Sequence, residues 1–153
     1  MKYNFKIDRK GNKFYYQDNL LHRVEHSNGN KYWYKKGKLH REDGPAVQRS
    51  NGSKKWYKEG NLHREDGPAI EYADGTKYWY KNNLLHREDA PAIEYANGNK
   101  YWYKNGKIHR EDGPAIEYYS GTIEWFLNDR IYGIGNEFTN NSWKTFVKTL
   151  IFS

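Results

Sequence analysis

The residues best equipped for chemistry come in four identical sets. His40-Arg41-Glu42-Asp43, His63-Arg64-Glu65-Asp66, His86-Arg87-Glu88-Asp89 and His109-Arg110-Glu111-Asp112 recur at 23-residue spacing. A histidine beside two carboxylates offers acid–base groups or metal ligands. Four equal copies argue for a structural element made once per unit rather than for an active site. Side chains alternate along extended chain, so His63 and Arg64 are expected on opposite faces and not around one ion. On this reading Asp66 accepts backbone N–H groups at a bend, and Arg64 pairs with Glu71 or its neighbour's equivalent across the sheet. The chain has no cysteine. It also shows no nucleophile elbow, phosphate loop or His-Glu-x-x-His motif. The expectation is a protein that is not an enzyme, with no cofactor and no metal.

Two further rows carry binding chemistry. Trp33, Trp56, Trp79, Trp102 and Trp125 repeat every 23 residues. Such a row could stack bases or sugars, but in so polar a chain the indoles are the largest apolar areas available to bury. Tyr34, Tyr57, Tyr80 and Tyr103 follow each Trp, and are expected on the other face as an exposed contact row. Lysines cluster beside them: Lys35, Lys36, Lys38, Lys54, Lys55, Lys58, Lys77, Lys81, Lys100, Lys104 and Lys107. A basic, aromatic-interleaved surface is a footprint of nucleic-acid binding. It also solubilises a sheet and protects its edge. The candidate binding residues are therefore those four tyrosines, Lys35, Lys58, Lys81 and Lys104, and Arg41, Arg64, Arg87 and Arg110. The five Trp, with His40, His63, His86, His109, Pro45, Pro68, Pro91 and Pro114, are read as structural.

These residues must be positioned by a repeat. In 153 residues, one repeat domain is expected. A typical unit reads Gly75 to Glu94 and on through Tyr95-Ala96-Asn97. Four such units span 29–119, and degenerate units at 11–28 and 120–137 are expected to cap the stack. In the first, His22-Arg23 runs straight to Val24, so the Glu-Asp-Gly-Pro-Ala segment is missing. In the last, Tyr132-Gly133 replaces His-Arg.

Asx-Gly pairs (Asn28-Gly29, Asn51-Gly52, Asp74-Gly75, Asn97-Gly98) predict two-residue hairpin turns of type I′. Lys36-Gly37, Glu59-Gly60, Asn82-Asn83 and Asn105-Gly106 predict a second turn eight residues later. Two-residue turns would pair Ile70 with Trp79, Trp79 with His86 and Tyr80 with Leu85, and put Ile70, Trp79 and His86 on one face. Proline favours extended geometry in the residue before it. That residue is Gly in three units and Ala90 in one, which assigns the Gly to close packing rather than to positive φ. Units stacked by translation need an even number of reversals, so the His-Arg-Glu-Asp-Gly-Pro-Ala segment should be a bulge in a long bent strand, opposite one short strand.

In the tail, Trp143, Phe146, Val147, Leu150 and Ile151 have helical spacing. The N-cap candidates are Thr139, Asn140, Asn141 and Ser142. A helix within 139–152 should cover the sheet edge and the end of the Trp row. The expected fold is all-β, stacked antiparallel β-hairpin repeats in an elongated meander or solenoid, with a short C-terminal capping α-helix.

Trp-x-x-x-Gly-x-x-His, the 23-residue period and the Asx-Gly turns together resemble MORN repeats over roughly residues 11–133. The likeness is to the divergent bacterial and viral variety found in antitoxin-type proteins. The Trp, turn glycines such as Gly37 and Gly106, and the four His match that pattern. The usual His-Gly-x-Gly is here the longer His-Arg-Glu-Asp-Gly-Pro-Ala. A weaker similarity is to choline-binding cell-wall repeats. The resemblance implies an interaction module, and its antitoxin branch implies a toxin or defence protein as the target.

Mean hydropathy is -1.21, yet aromatics make up 18%. That aromatic content argues against disorder and for an aromatic core. The net charge of +7 favours acidic partners. No apolar run approaches a membrane span, and Met1–Lys6 has no secretory apolar stretch, so a cytoplasmic location is expected. The first expectation is a non-enzymatic module that binds a protein partner. Nucleic-acid or nucleotide binding through the basic aromatic face is the alternative, and peripheral contact with anionic membrane is the second. The open edge also admits an edge-to-edge homodimer.

Overall fold

The computed structural model describes residues 4–151, the side chain of Ile151 excepted. Residue 152, which the expected helix range included, lies outside the described residues. The chain divides into two compact units, Met1–Gly75 with Tyr80–Asn83, and Thr76–Trp79 with Leu84–Ser153. Each is built from antiparallel hairpins, and the second ends in a helix, Asn140–Ile151. No helix among the described residues is long and apolar enough to cross a membrane.

In the first unit Asn4–Ile7, Lys13–Gln17, Leu20–Glu25 and Lys31–Lys35 form a meander of adjacent antiparallel strands. Val47–Gln48 then pairs with both Lys31–Lys35 and Lys54–Lys55, and Ile70–Glu71 adds to Lys54–Lys55. In the second unit the order is Lys77–Tyr78, Ile93–Glu94, Lys100–Tyr101, Ile116–Glu117, Ile123–Leu127, Arg130–Ile134. The strand Asn4–Ile7 lies before the first expected repeat. It is joined by a turn at Gly11 in which Asp8 accepts the backbone N–H of Lys10 and Asn12.

The bulge is as the parity argument requires. Tyr57–Lys58 pairs with Asn61–Leu62 at one end, and Lys54–Lys55 pairs with Ile70–Glu71 at the other. Between them residues 63–69 bow out opposite Trp56 alone. The Trp56 N–H donates to the Ala69 carbonyl, and its carbonyl accepts from His63 N–H. Each inner repeat thus has one short strand and one long bent one.

Of the two sets of turns, both expected to be two-residue, only the second takes that form. At the Asx-Gly pairs only the glycine has positive φ (Gly98 at 92°, Gly52 at 92°). The loop has three residues, Ala96-Asn97-Gly98 in one case, closed by Gly98 N–H to the Tyr95 carbonyl and Tyr95 N–H to the Asn99 carbonyl. This is a type I turn with a glycine bulge. The Asx side chain explains its own position: Asn97 Oδ1 accepts Asn99 N–H at 3.1 Å, and Asn51 Oδ1 accepts Ser53 N–H at 3.0 Å. The two-residue turns with both φ positive are the second set, Lys36-Gly37, Glu59-Gly60, Asn82-Asn83 and Asn105-Gly106. The extra loop residue shifts the register by one. Val47 pairs with Lys55, not Trp56, and Ile93 with Tyr101, not Trp102, which corrects the expected pairing of Ile70 with Trp79. His86 N–H does bond to the Trp79 carbonyl, and Tyr57–Leu62 and Tyr103–Ile108 pair as expected for Tyr80 and Leu85.

The repeats are tied together at both ends. Near the three-residue turns, Ser53 Oγ and Thr76 Oγ1 accept the N–H of Ala73 and Ala96. At the two-residue turns, Gly60 N–H reaches the Leu39 carbonyl and Gly106 N–H the Leu85 carbonyl. Within the inner repeats the most deeply buried residues are Ala46, Ala69, Ala92 and Ala115, each 0% exposed, followed by Val47, Ile70, Ile93 and Ile116. The core is therefore an Ala-aliphatic seam as much as a Trp row; Trp56 and Trp79 are only half-buried.

The helix is capped by Thr139, whose Oγ1 accepts Ser142 N–H while Ser142 Oγ accepts Thr139 N–H. Its Trp143 is fully buried against Trp125, with Phe138, Tyr132 and Phe146 around the pair.

Candidate binding clefts between the bulges

Each bulge folds its arginine back onto its own tryptophan. The guanidinium carbons of Arg41, Arg64, Arg87 and Arg110 lie 4.2, 4.0, 3.9 and 4.1 Å from the ring centres of Trp33, Trp56, Trp79 and Trp102. At this distance the cation meets the negative face of the indole quadrupole. The fork is then satisfied. Arg64 Nη1 donates to the Pro68 carbonyl at 3.3 Å and to Glu71 at 3.1 Å, and Nε donates to Asp66 at 3.0 Å. The expected pairing of Arg64 with Glu71 is present. Asp66 accepts this side-chain bond first, beside a backbone N–H, its own. It is arginine, not histidine, that lies on the indole.

The bulge glycine makes room for that cation. A Cβ at Gly67 would meet Arg64 Cζ at 2.9 Å, and one at Gly113 would meet Arg110 Cζ at 2.8 Å; neither glycine has positive φ. Where Ala90 stands instead, the Arg87 side chain keeps its bonds to Pro91 and Glu94 but makes none to Asp89.

The histidines are clips. The backbone N–H of Glu59, Asn82, Asn105 and Asn128 points at Nδ1 of His40, His63, His86 and His109 at 3.1 to 3.3 Å. Nε2 faces Glu42, Glu65, Glu88 or Glu111, and His63 Nδ1 also lies 2.9 Å from Asn82 Oδ1. Lysines complete the set: Lys35–Glu42 at 2.8 Å, Lys58–Glu65 at 3.9 Å, Lys104–Glu111 at 3.8 Å. The Lys35 bond holds Glu42 below its ordinary pKa and Lys35 above its own.

Clefts lie beside the bulges. In the first unit, one of about 590 Å³ is lined by Trp33, Tyr34, Lys35 and His40–Asp43, with His22 and Arg23 opposite. Another of about 880 Å³ is lined by Trp56, Tyr57, Lys58, His63–Asp66 and His40–Gly44. In the second unit, one of about 280 Å³ is lined by Arg87–Asp89, Trp102, Lys104 and His109–Asp112. The structure thus gathers Tyr34, Tyr57, Lys35, Lys58, Lys104 and the arginines into clefts. Tyr80, Tyr103 and Lys81 do not line them.

The four row tyrosines are half-buried rather than exposed, and burial raises the pKa of Tyr34 and Tyr57. Among the described residues the exposed tyrosines are Tyr72 and Tyr95, before the loops at Asp74-Gly75 and Asn97-Gly98, and Tyr119, one position further on and beside Ser120-Gly121. Sequence reasoning passed over them, although Glu-Tyr-Ala recurs at 71–73 and 94–96. In the second unit Tyr78, Tyr95, Tyr101 and Tyr118 stack edge to face. Tyr118 is pushed up to about 12, first by burial and then by Glu124. Among the described residues no three His, Asp or Glu side chains are grouped to hold a metal. Neither a protein-family model nor a curated protein sequence matches this chain.

Proposed function

We propose that the chain is a non-enzymatic binding module whose target is another protein, taken in the clefts beside the bulges. The observation that carries this is the mixed charge of the clefts. Lys35, Lys58 and Lys104, three of the eleven lysines expected to present a basic stripe, each lie within 4 Å of a glutamate from the bulge. A polyanion would meet as much negative as positive charge there, whereas a protein surface offers both signs. The half-buried Tyr34 and Tyr57 supply rigid contact area on the walls. The histidines and arginines are mostly covered and shape the clefts, while the Glu, Asp and Lys side chains bonded to them stay exposed to meet the partner. The resemblance to antitoxin-type MORN repeats makes toxins and defence proteins the first targets to test.

The test is partner capture on the immobilised full chain, with and without nuclease, beside the variant Glu42→Lys/Glu65→Lys. Capture that survives nuclease and is lost in the variant supports the reading. Capture abolished by nuclease, together with salt-sensitive retention on RNA, replaces it with the nucleic-acid reading.

A further inference from the structure

The first, degenerate repeat keeps the arginine of the ladder and lacks the segment that satisfies it. Arg23 lies over the Tyr15 ring at 4.0 Å, as Arg64 lies over Trp56. Its Nη2 is 3.5 Å from Glu25, the equivalent of the Arg64–Glu71 pair. The chain then passes directly from Arg23 to Val24. The residues missing there are those that give Arg64 the Asp66 carboxylate on Nε and the Pro68 carbonyl on Nη1. Arg23 Nε is accordingly buried with no hydrogen-bond partner, the only such side-chain atom among the described residues. A buried donor left unbonded is costly, and more so on a charged group.

A cavity of about 230 Å³ adjoins the guanidinium and is lined by Phe5, Tyr15 and His22, with the carboxylates of Glu25 and Asp43 also near. Arg41 stands across the neighbouring cleft, but its own Nε is held by Asp43 at 2.8 Å. The pKa of His22 is lowered, first by burial and then by Arg23 and Arg41.

We propose that the first repeat is a receptor for a carboxylate of an acidic protein segment, which supplies in trans the Asp and carbonyl acceptors that the inner repeats supply in cis. This rests on the protein-binding reading and names the chemistry of one contact. The occupant is an acidic loop of Glu-Asp-Gly type, since that is the segment that fits the same arginine three times in this molecule. The aromatic platform is already in place; because Nε is covered, binding must also displace what lies over it.

The test needs no knowledge of the partner. Acetyl-Glu-Asp-Gly-Pro-Ala-amide is titrated into the full chain while the arginine Nε–H resonances are followed by NMR, Arg23 being assigned from its absence in Arg23→Lys. The expected result is a saturable shift of the Arg23 signal with Arg64 and Arg110 unmoved. Affinity should fall about tenfold or more when the peptide Asp becomes Asn. A second variant carries Glu-Asp-Gly-Pro-Ala inserted between Arg23 and Val24. It should no longer bind the peptide, and its Arg23 Nε–H should move to the position of those of Arg64 and Arg110. No shift of Arg23, an equal response to the Asn peptide, or undiminished binding by the insertion variant overturns the proposal. Because the titration uses only the peptide, its outcome is independent of whether partner capture succeeds.

Discussion

Trp102 and Trp125 hold the same position in successive units, yet they are covered in different ways. Trp102 is roofed by the guanidinium of Arg110, which the bulge brings back over it, and remains 9% exposed. Trp125 has no arginine, because Tyr132-Gly133 stands where His-Arg would be. Its roof is Trp143 from the helix, with ring centres 5.3 Å apart, and it is 1% exposed. Its Nε1–H is bonded to the Gly135 carbonyl at 3.1 Å. The two schemes meet at Arg110, whose carbonyl accepts Trp143 Nε1–H at 3.0 Å. An arginine roof is carried by each unit and leaves the polar cleft outside it open, so it can be repeated. An aromatic roof buries its indole fully and ends the series.

The aromatic roof should therefore be the costlier one to remove. Trp143→Ala deletes a fully buried side chain, uncovers Trp125 and leaves the Arg110 carbonyl unbonded. A loss of about 4 kcal/mol is expected, read from the urea midpoint, with a red shift in tryptophan emission as Trp125 is hydrated. Arg64→Ala removes one cation–π contact and the bonds to Pro68, Glu71 and Asp66. The expected loss is about 2 kcal/mol. Arg64→Lys should recover only part of it, because an ammonium cannot bond in a fork while lying flat on a ring. If Arg64→Ala cost as much as Trp143→Ala, the distinction between a repeatable and a terminal roof would fail.

The difference between the two regions also marks what was legible in the sequence. The repeat, the parity of its reversals and the helix could be read from spacing alone, because periodicity constrains the chain without reference to any single contact. The space-making role of Gly44, Gly67 and Gly113 was legible through Ala90, which excluded a need for positive φ. The arginine roof was not legible. Alternation is a rule of regular strands, and it does not hold through a seven-residue bulge, so it could not say whether His63 or Arg64 lies on Trp56. The turn types were lost for a related reason. Asn-Gly marks a type I′ turn when the loop has two residues, but Asn51 and Asn97 spend their side chains on Asx turns in loops of three. Arg23 was visible only as part of a deletion, since a sequence shows that a segment is missing and not which donor it leaves unbonded.

A finer test acts on the glycine beneath the arginine. Gly67→Ala should break the Arg64–Asp66 bond while keeping the bonds to Pro68 and Glu71, reproducing the arrangement at Ala90. The ion pair is exposed and screened by solvent, so it contributes little, and Ala offsets that by restricting the unfolded chain. The urea midpoint should therefore barely move, while the Arg64 Nε–H resonance shifts clearly. A large destabilisation would mean that the methyl displaces the guanidinium from Trp56 altogether.

The smallest effect expected separates the two roofs by pH. The arginine bonds hold the carboxyls of Asp43, Asp66 and Asp112 below the ordinary Asp value of 3.8. A carboxyl whose native pKa is depressed binds fewer protons folded than unfolded. Its contribution is complete above the unfolded value and is lost as pH falls through the lower native value. The Trp125–Trp143 contact contains no titrating group, so it should lower or raise the whole stability curve without changing its acid slope. In urea midpoints measured from pH 5 downwards, Asp43→Asn/Asp66→Asn/Asp112→Asn should flatten the fall below 3.8. The flattening is partial, because Glu42, lowered by Lys35 and His40, still titrates. Trp143→Phe should shift the curve down and leave its slope unchanged. A changed slope in Trp143→Phe would show that the helix and the Arg110–Asp112 pair are coupled through the Arg110 carbonyl, and that the last arginine roof is not independent of the aromatic one.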